Sequence, residues 1–147
     1  MTQTQPLVTA LNKQIANWTV LYIKLHNYHW YVKGNQFFTL HLKFEELYNE
    51  AALHIDNLAE RVLTLRGLPV ATMKQALQIA SIEEAVGNED ANAMVSATVK
   101  DFEQVLAELK EGMELAEQEG DQTTGDMFLA IYSSLEKHTW MLSAFLG

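Results

Sequence analysis

LHLKFEELYNEAALHIDNLAERVL, residues Leu40–Leu63, decides how this chain folds. Phe44, Leu47, Tyr48, Ala51, Ile55, Leu58 and Val62, continued by Leu65, recur at the spacing of one buried helix face. A second stripe carries different chemistry. With His41 set at 0° and about 100° per residue, Glu45 falls at about 40°, Asp56 at about 60° and Glu60 at about 100°, while the apolar stripe clusters near about 290°. Leu42, Ala52, Leu53 and Leu63 share the side of these four polar residues, so something is expected to pack there. Lys43, Glu50, Asn57 and Arg61 fill the remaining face and read as solvated.

The flanking sequence extends this helical reading. Upstream, Leu7, Leu11, Ile15, Trp18, Tyr22 and Leu25 mark one face of a first long helix beginning at Pro6, and VKGNQ stops it with Gly34 as the C-cap. The second helix starts near Gln36 and ends at RGLP, with Gly67 and Pro69. VATMKQALQIA suggests a short helix inside a long connection. GNEDANAM gives a third long helix an acidic first turn, with Asn88 or Glu89 near the cap. Met94, Thr98, Phe102, Val105, Leu109 and Met113 line it, and Gly120 ends it. TTGD opens a fourth, where Thr123 and Asp126 have capping-box spacing with Asp in place of Glu. Phe128, Tyr132, Leu135, Leu142 and Phe145 continue that helix. The links run short, long, short. This describes an all-α, ferritin-like four-helix bundle with one long crossover.

A length of 147 residues fits one domain, 1–147. Cysteine is absent, which excludes disulfides, thiolate zinc sites and a thiol nucleophile. The start lacks a basic region followed by an apolar core, and no apolar run approaches the roughly 18 residues of a membrane span. A cytoplasmic protein is expected. A net charge of −9 disfavours nucleic acid and anionic lipid as partners and favours cation attraction.

His41 and Asp56 lie about 22 Å apart along a helix, whereas a ligand atom sits about 2 Å from its metal. One ion therefore cannot touch both polar pairs of the same helix. However, the residue numbers of His41 and Glu60, and of Glu45 and Asp56, both add to 101. If a second copy of the helix lies antiparallel across a two-fold axis, His41 faces the partner's Glu60 and Glu45 faces the partner's Asp56. A symmetric dimer interface is self-complementary in this way. The plainer alternative is solvated acids and histidines making weak side-chain pairs.

LHNYHWYVKGNQFFTLHLKFEELY, followed by IDNLAERV, resembles the Dps family of mini-ferritins. The motifs are His29-Trp30, Gly34, Phe37-Phe38, Leu40-His41 and Asp56 through Glu60-Arg61, within a likeness that runs from Leu7 to Leu146. The resemblance implies a dodecameric shell that binds ferrous iron between two-fold-related subunits. It implies oxidation of that iron, preferentially by hydrogen peroxide, and storage of the ferric mineral inside. It also implies the ligands: His29, His41 and Glu45 from one subunit, with Asp56 and Glu60 from its partner. The Glu-x-x-His motif of ordinary ferritins is missing here.

The resemblance places Trp30 beside the iron as a possible electron donor, against aromatic packing as the alternative. It offers Asp121 and Asp126 as an acidic pore, against simple complementation of the helix dipole. Glu46 and Glu50 are candidates for mineral nucleation. His26, His54 (near the solvated side of the second helix) and His138 read as surface or hydrogen-bonded structural histidines. DNA binding is not expected, because the first basic residue is Lys13, inside a helix, and the chain closes on SAFLG. The alternatives are a DNA-compacting shell with incidental iron chemistry and a bundle that oligomerises without metal.

Overall fold

The computed structural model describes residues 5–147, and the part of the signal-peptide reading that rests on residues 1–4 lies outside the described residues. Four long helices form the bundle: α1 (Gln5–Tyr31), α2 (Phe37–Thr64), α4 (Ala91–Gln118) and α5 (Gln122–Leu146). The short α3 (Met73–Ile79) lies in the connection between α2 and α4. No strand occurs among the described residues. The tight links join α1 to α2 and α4 to α5, as the sequence predicts. No helix among the described residues is long and apolar enough to cross a membrane.

The core is built from the predicted stripes. Leu7, Leu11, Ile15, Trp18 and Leu25 of α1 are buried against Phe44, Leu47, Ala51, Leu58 and Val62 of α2, Phe102, Val105 and Leu109 of α4, and Phe128 and Leu135 of α5. Each such large side chain contributes about 1.5–3 kcal/mol by leaving water. Two glycines allow close approach. A Cβ on Gly112 of α4 would lie 2.8 Å from the Phe128 ring of α5, and one on Gly67 would lie 2.9 Å from Val8. At the end of α2 the left-handed residue is Arg66, with φ 67°, and Gly67 instead supplies room for α1.

Buried polar groups pin the crossover to the bundle. Asn17 of α1 donates to Glu108 Oε1 (2.8 Å) and accepts from the Ser81 backbone N–H (2.8 Å). Lys24 donates to the Glu83 carbonyl and pairs with Asp101 of α4, each at 2.7 Å. Burial raises the Asp101 pKa despite Lys24.

Two caps differ from expectation. The N-cap of α4 is Asp90, whose carboxylate accepts from Ala93 N–H. Glu89 is occupied elsewhere: it accepts from the Val86 and Gly87 backbones and from the Tyr28 hydroxyl. Burial opposes its ionisation, but those bonds prevail and hold its pKa at about 2. The N-cap of α5 is Asp121 rather than Thr123. Its two oxygens accept from the backbone N–H and the hydroxyl of Thr124, which is more complete than the predicted capping box.

The face of α2 expected to be solvated is a third correction. Lys43, Glu50 and Arg61 all turn toward α5 or its cap, and Asn57 alone of the four is exposed. His54 is likewise partly buried, with its ring 4.7 Å from that of Trp18. Hydrogen bonds to His138 of α5, with the Arg61–Asp121 ion pair at its cap, make this side of α2 an interior seam. The apolar side holding Leu42, Leu53 and Leu63 remains bare in the single chain.

Candidate metal centre

The last turn of α1 and the first turns of α2 meet at a pair of stacked imidazoles. The His29 and His41 rings lie 3.7 Å apart and 15° from parallel. Nδ1 of His29 bonds the His41 carbonyl at 2.7 Å, and Nδ1 of His41 bonds the His29 carbonyl at 2.8 Å. A carbonyl only accepts, so each Nδ1 carries a proton, and Nε2 is the nitrogen left to offer a lone pair to a metal. Such outer bonds fix the tautomer and orientation of a metal-binding histidine. Phe37 stacks on the outer face of His41, with ring centroids 4.9 Å apart.

Glu45 lies one turn beyond His41. One ligand atom each from His29, His41 and Glu45 falls within 4.8 Å of the others, the only such triad among the described residues. The set offers two neutral nitrogens and one anionic oxygen, a donor mixture suited to ferrous iron, zinc or cobalt. His29 is buried, and His41 and Glu45 are partly exposed.

Asp56 and Glu60 do not join this triad. Both are exposed farther along α2 on the bare side of the helix, and no ion pair among the described residues engages them. Trp30 is exposed and reaches the triad only indirectly. Its ring lies 5.1 Å from His26, His26 stacks on Tyr48 at 3.6 Å, and Tyr48 stands edge-on to His29 at 5.2 Å. Partial burial, then the Glu45 charge and Tyr22, raises the pKa of the Tyr48 phenol. Sequence reasoning left Tyr48 in the core stripe and His26 among structural histidines. The one available signal was the run of aromatic and histidine positions at 22, 26 and 30 on one face of α1.

The other candidates separate. Glu50 is a partly buried hub: it accepts from His54 Nε2 (3.0 Å), His138 Nε2 (2.9 Å) and the Ser134 hydroxyl (2.9 Å). Burial alone would raise its pKa, yet these donors hold it well below the usual carboxylate range. Its oxygens are therefore committed to α5 and to His54 of α2, which leaves them less free to nucleate mineral. Glu46 is more open, with a 58% exposed side chain. Lys43 donates to His138 Nδ1 at 3.0 Å, which fixes that ring as Nε2–H. Asp121 is claimed by its cap and by Arg61, 3.0 Å away, and the Thr124 bonds and Arg61 lower its pKa against partial burial. Asp126 is exposed.

Residues 8–147 match the model of the ferritin-like domain. General stress protein 20U of Bacillus subtilis is 62% identical over 143 residues, spanning 97% of this chain and 99% of that protein. The crystal structure of a Dps protein from Bacillus brevis superposes with a TM-score of 0.99 at 54% identity, covering 100% of this chain and 99% of the other. A Vibrio cholerae Dps protein, described as one of a broad superfamily of ferritin-like diiron-carboxylate proteins, gives 0.96 at 38% identity, covering 99% and 92%.

Proposed function

The chain belongs to the ferritin-like family, in its Dps branch, and from that premise we propose that it is an iron-storing ferroxidase. It oxidises ferrous iron, preferentially with hydrogen peroxide, and holds the ferric product inside a twelve-subunit shell. The observation that carries this reading is the half-built centre. His29, His41 and Glu45 converge, while Asp56 and Glu60 wait unpaired on the bare side of the same helix. A second copy, antiparallel across a two-fold axis, supplies the partner's Asp56 and the partner's Glu60.

Exposed apolar residues support the same register. Phe38, Leu53 and Leu63 are 80%, 64% and 57% exposed, more apolar surface than one helix flank of a lone subunit ordinarily shows. The pairing that matches His41 with the partner's Glu60 also matches Phe38 with the partner's Leu63, and Tyr48 with the partner's Leu53. Apolar therefore meets apolar wherever ligand meets ligand.

The mixed donor set suits both oxidation states. Neutral imidazoles bind the ferrous ion, and the carboxylates favour the higher charge of the ferric product. Two ferrous ions each give one electron to a single peroxide, and two protons complete two waters, so no hydroxyl radical is released. Mixing metal-free protein with ferrous iron and peroxide tests this. Two irons consumed per peroxide, with little spin-trapped radical, is expected; one iron per peroxide with abundant radical would sink it. DNA is not a partner in this reading, because a net charge of −9 opposes the polyanion. A gel shift with plasmid at physiological salt checks that.

A further inference from the structure

The seam between α2 and α5 holds a second set of ligand-type atoms, outside the triad. The Lys43 ammonium lies 3.0 Å from His138 Nδ1, 3.5 Å from Glu46 Oε2 and 3.7 Å from Met141 Sδ. An ammonium has three N–H donors and no acceptor, and here it meets lone pairs of three kinds. Imidazole nitrogen, carboxylate oxygen and thioether sulfur are also atoms that bind divalent metal ions. All four side chains belong to one chain, and their burial can only deepen on assembly.

The support behind His138 is that of a ligand too. Its Nε2–H donates to Glu50 Oε1 at 2.9 Å, and Glu50 is itself held by the Ser134 hydroxyl and His54. A carboxylate on the far nitrogen is what fixes the tautomer and aim of a metal-binding histidine. Nδ1 is thereby left as the acceptor, on a side chain only 7% exposed, and it faces Lys43. An ordinary surface ion pair requires none of this. Glu46 alone, one turn along α2, would satisfy Lys43, and such pairs contribute little.

We propose that the Lys43 ammonium is a built-in cation that closes a second, intra-chain metal site formed by His138, Glu46 and Met141, so that divalent ions are kept out of the α2–α5 seam. The tethered charge sits where an ion would sit and cannot leave. The inference goes beyond the ferroxidase reading, and only its consequence rests on that reading. Lys43 is two residues from both His41 and Glu45, so an ion caught in the seam would be withheld from the shared centre. Alone, that ferrous ion gives peroxide one electron, yielding ferric iron, hydroxide and a hydroxyl radical. Lys43 thus reserves iron for the place where two ions react together.

The test is a cobalt titration of the assembled, metal-free protein at one neutral pH, read by visible absorption and by metal analysis after gel filtration. Lys43→Ala should bind one more cobalt per subunit than the native chain, with new absorption bands. Lys43→Arg, which keeps a fixed cation, should return to the native count. Lys43→Ala combined with His138→Gln should lose the extra ion. With ferrous iron and peroxide, Lys43→Ala should release more spin-trapped hydroxyl radical than the native protein. Lys43→Ser serves as a second opened variant, and the intra-chain site lets the count be read in dispersed subunits as well. An unchanged cobalt count in both opened variants overturns the inference, as does an extra ion that survives His138→Gln. A count that falls when His138→Gln is made with Lys43 in place also overturns it, because the site would then be open. An extra ion without extra radical overturns only the consequence. Failure of the ferroxidase reading looks different: the native protein binds no cobalt at the triad, while the increment in Lys43→Ala remains.

Discussion

His29 and His41 each donate a ring N–H to the other's backbone carbonyl, at 2.7 and 2.8 Å, across the turn that joins α1 to α2. The pair is a clasp as well as a pair of proposed ligands. Each ring is oriented by the other residue's backbone carbonyl and by the face of the other ring, so removing one imidazole takes away the stacking surface on which the other rests.

That reciprocity predicts non-additive losses. His29→Ala and His41→Ala should each abolish most cobalt binding at the triad, and the double variant should be little worse than either single one. Stability should fall by roughly 1 kcal/mol for each neutral hydrogen bond lost. Titration followed by cobalt absorption, with chemical denaturation on the same samples, separates the two effects.

Glu50 predicts a pH dependence. A carboxyl whose folded pKa is depressed adds stability that is complete above its unfolded pKa, about 4.3, and that disappears as pH falls toward the folded value. Glu50→Gln should therefore be less stable than the native chain at neutral pH, by about 1.5–3 kcal/mol for bonds to a charged group. The gap should narrow steadily below about pH 4. Urea denaturation at a series of pH values reads this directly. A gap that is constant with pH would mean that Glu50 acts by packing alone.

Asp121→Ala removes a helix cap and the anchor of Arg61 together. A cap alone contributes about 1 kcal/mol, so the melting temperature should drop clearly. Asp126→Ala should leave it near the native value. If the pore expectation is right for Asp126, that variant instead slows iron uptake, which stopped-flow absorbance measures.

Gly112→Ala puts a methyl carbon against the Phe128 ring with no room for it. The expected destabilisation is about 1–3 kcal/mol, typical of an overpacked core. The double change with Phe128→Leu should recover part of the loss, as thermal melting would show.

Leu53→Lys places a charge on the bare flank of α2. Light scattering should find the shell broken into smaller species. Peroxide-driven iron oxidation should collapse with it, although the His29, His41 and Glu45 side chains are untouched. Oxidation at the native rate in a dispersed subunit would remove the inter-subunit centre from consideration.

The helices, their order and the core stripes were legible because each rests on local periodicity, which a single sequence displays. The triad was half legible. Four-residue spacing put His41 and Glu45 on one side of α2, but His29 arrives from another helix and entered only through the family motif. The misread face of α2 shows the limit. Lys43, Glu50 and Arg61 look solvated on a helical wheel, and only tertiary contacts with α5 reveal that their charges are spoken for. The caps were missed by one or two residues because several acidic or hydroxyl residues compete at each helix start, and geometry alone selects the winner.

The clasp between His29 and His41 spans only twelve residues of chain. Closing so short a segment is entropically cheap, and it needs neither the crossover nor the second hairpin. The donor geometry can therefore be set while the rest of the bundle is still unmade, as soon as the first hairpin of a newly synthesised chain closes. In the proposed assembly, association then has only carboxylates left to deliver, onto a mould that has already hardened.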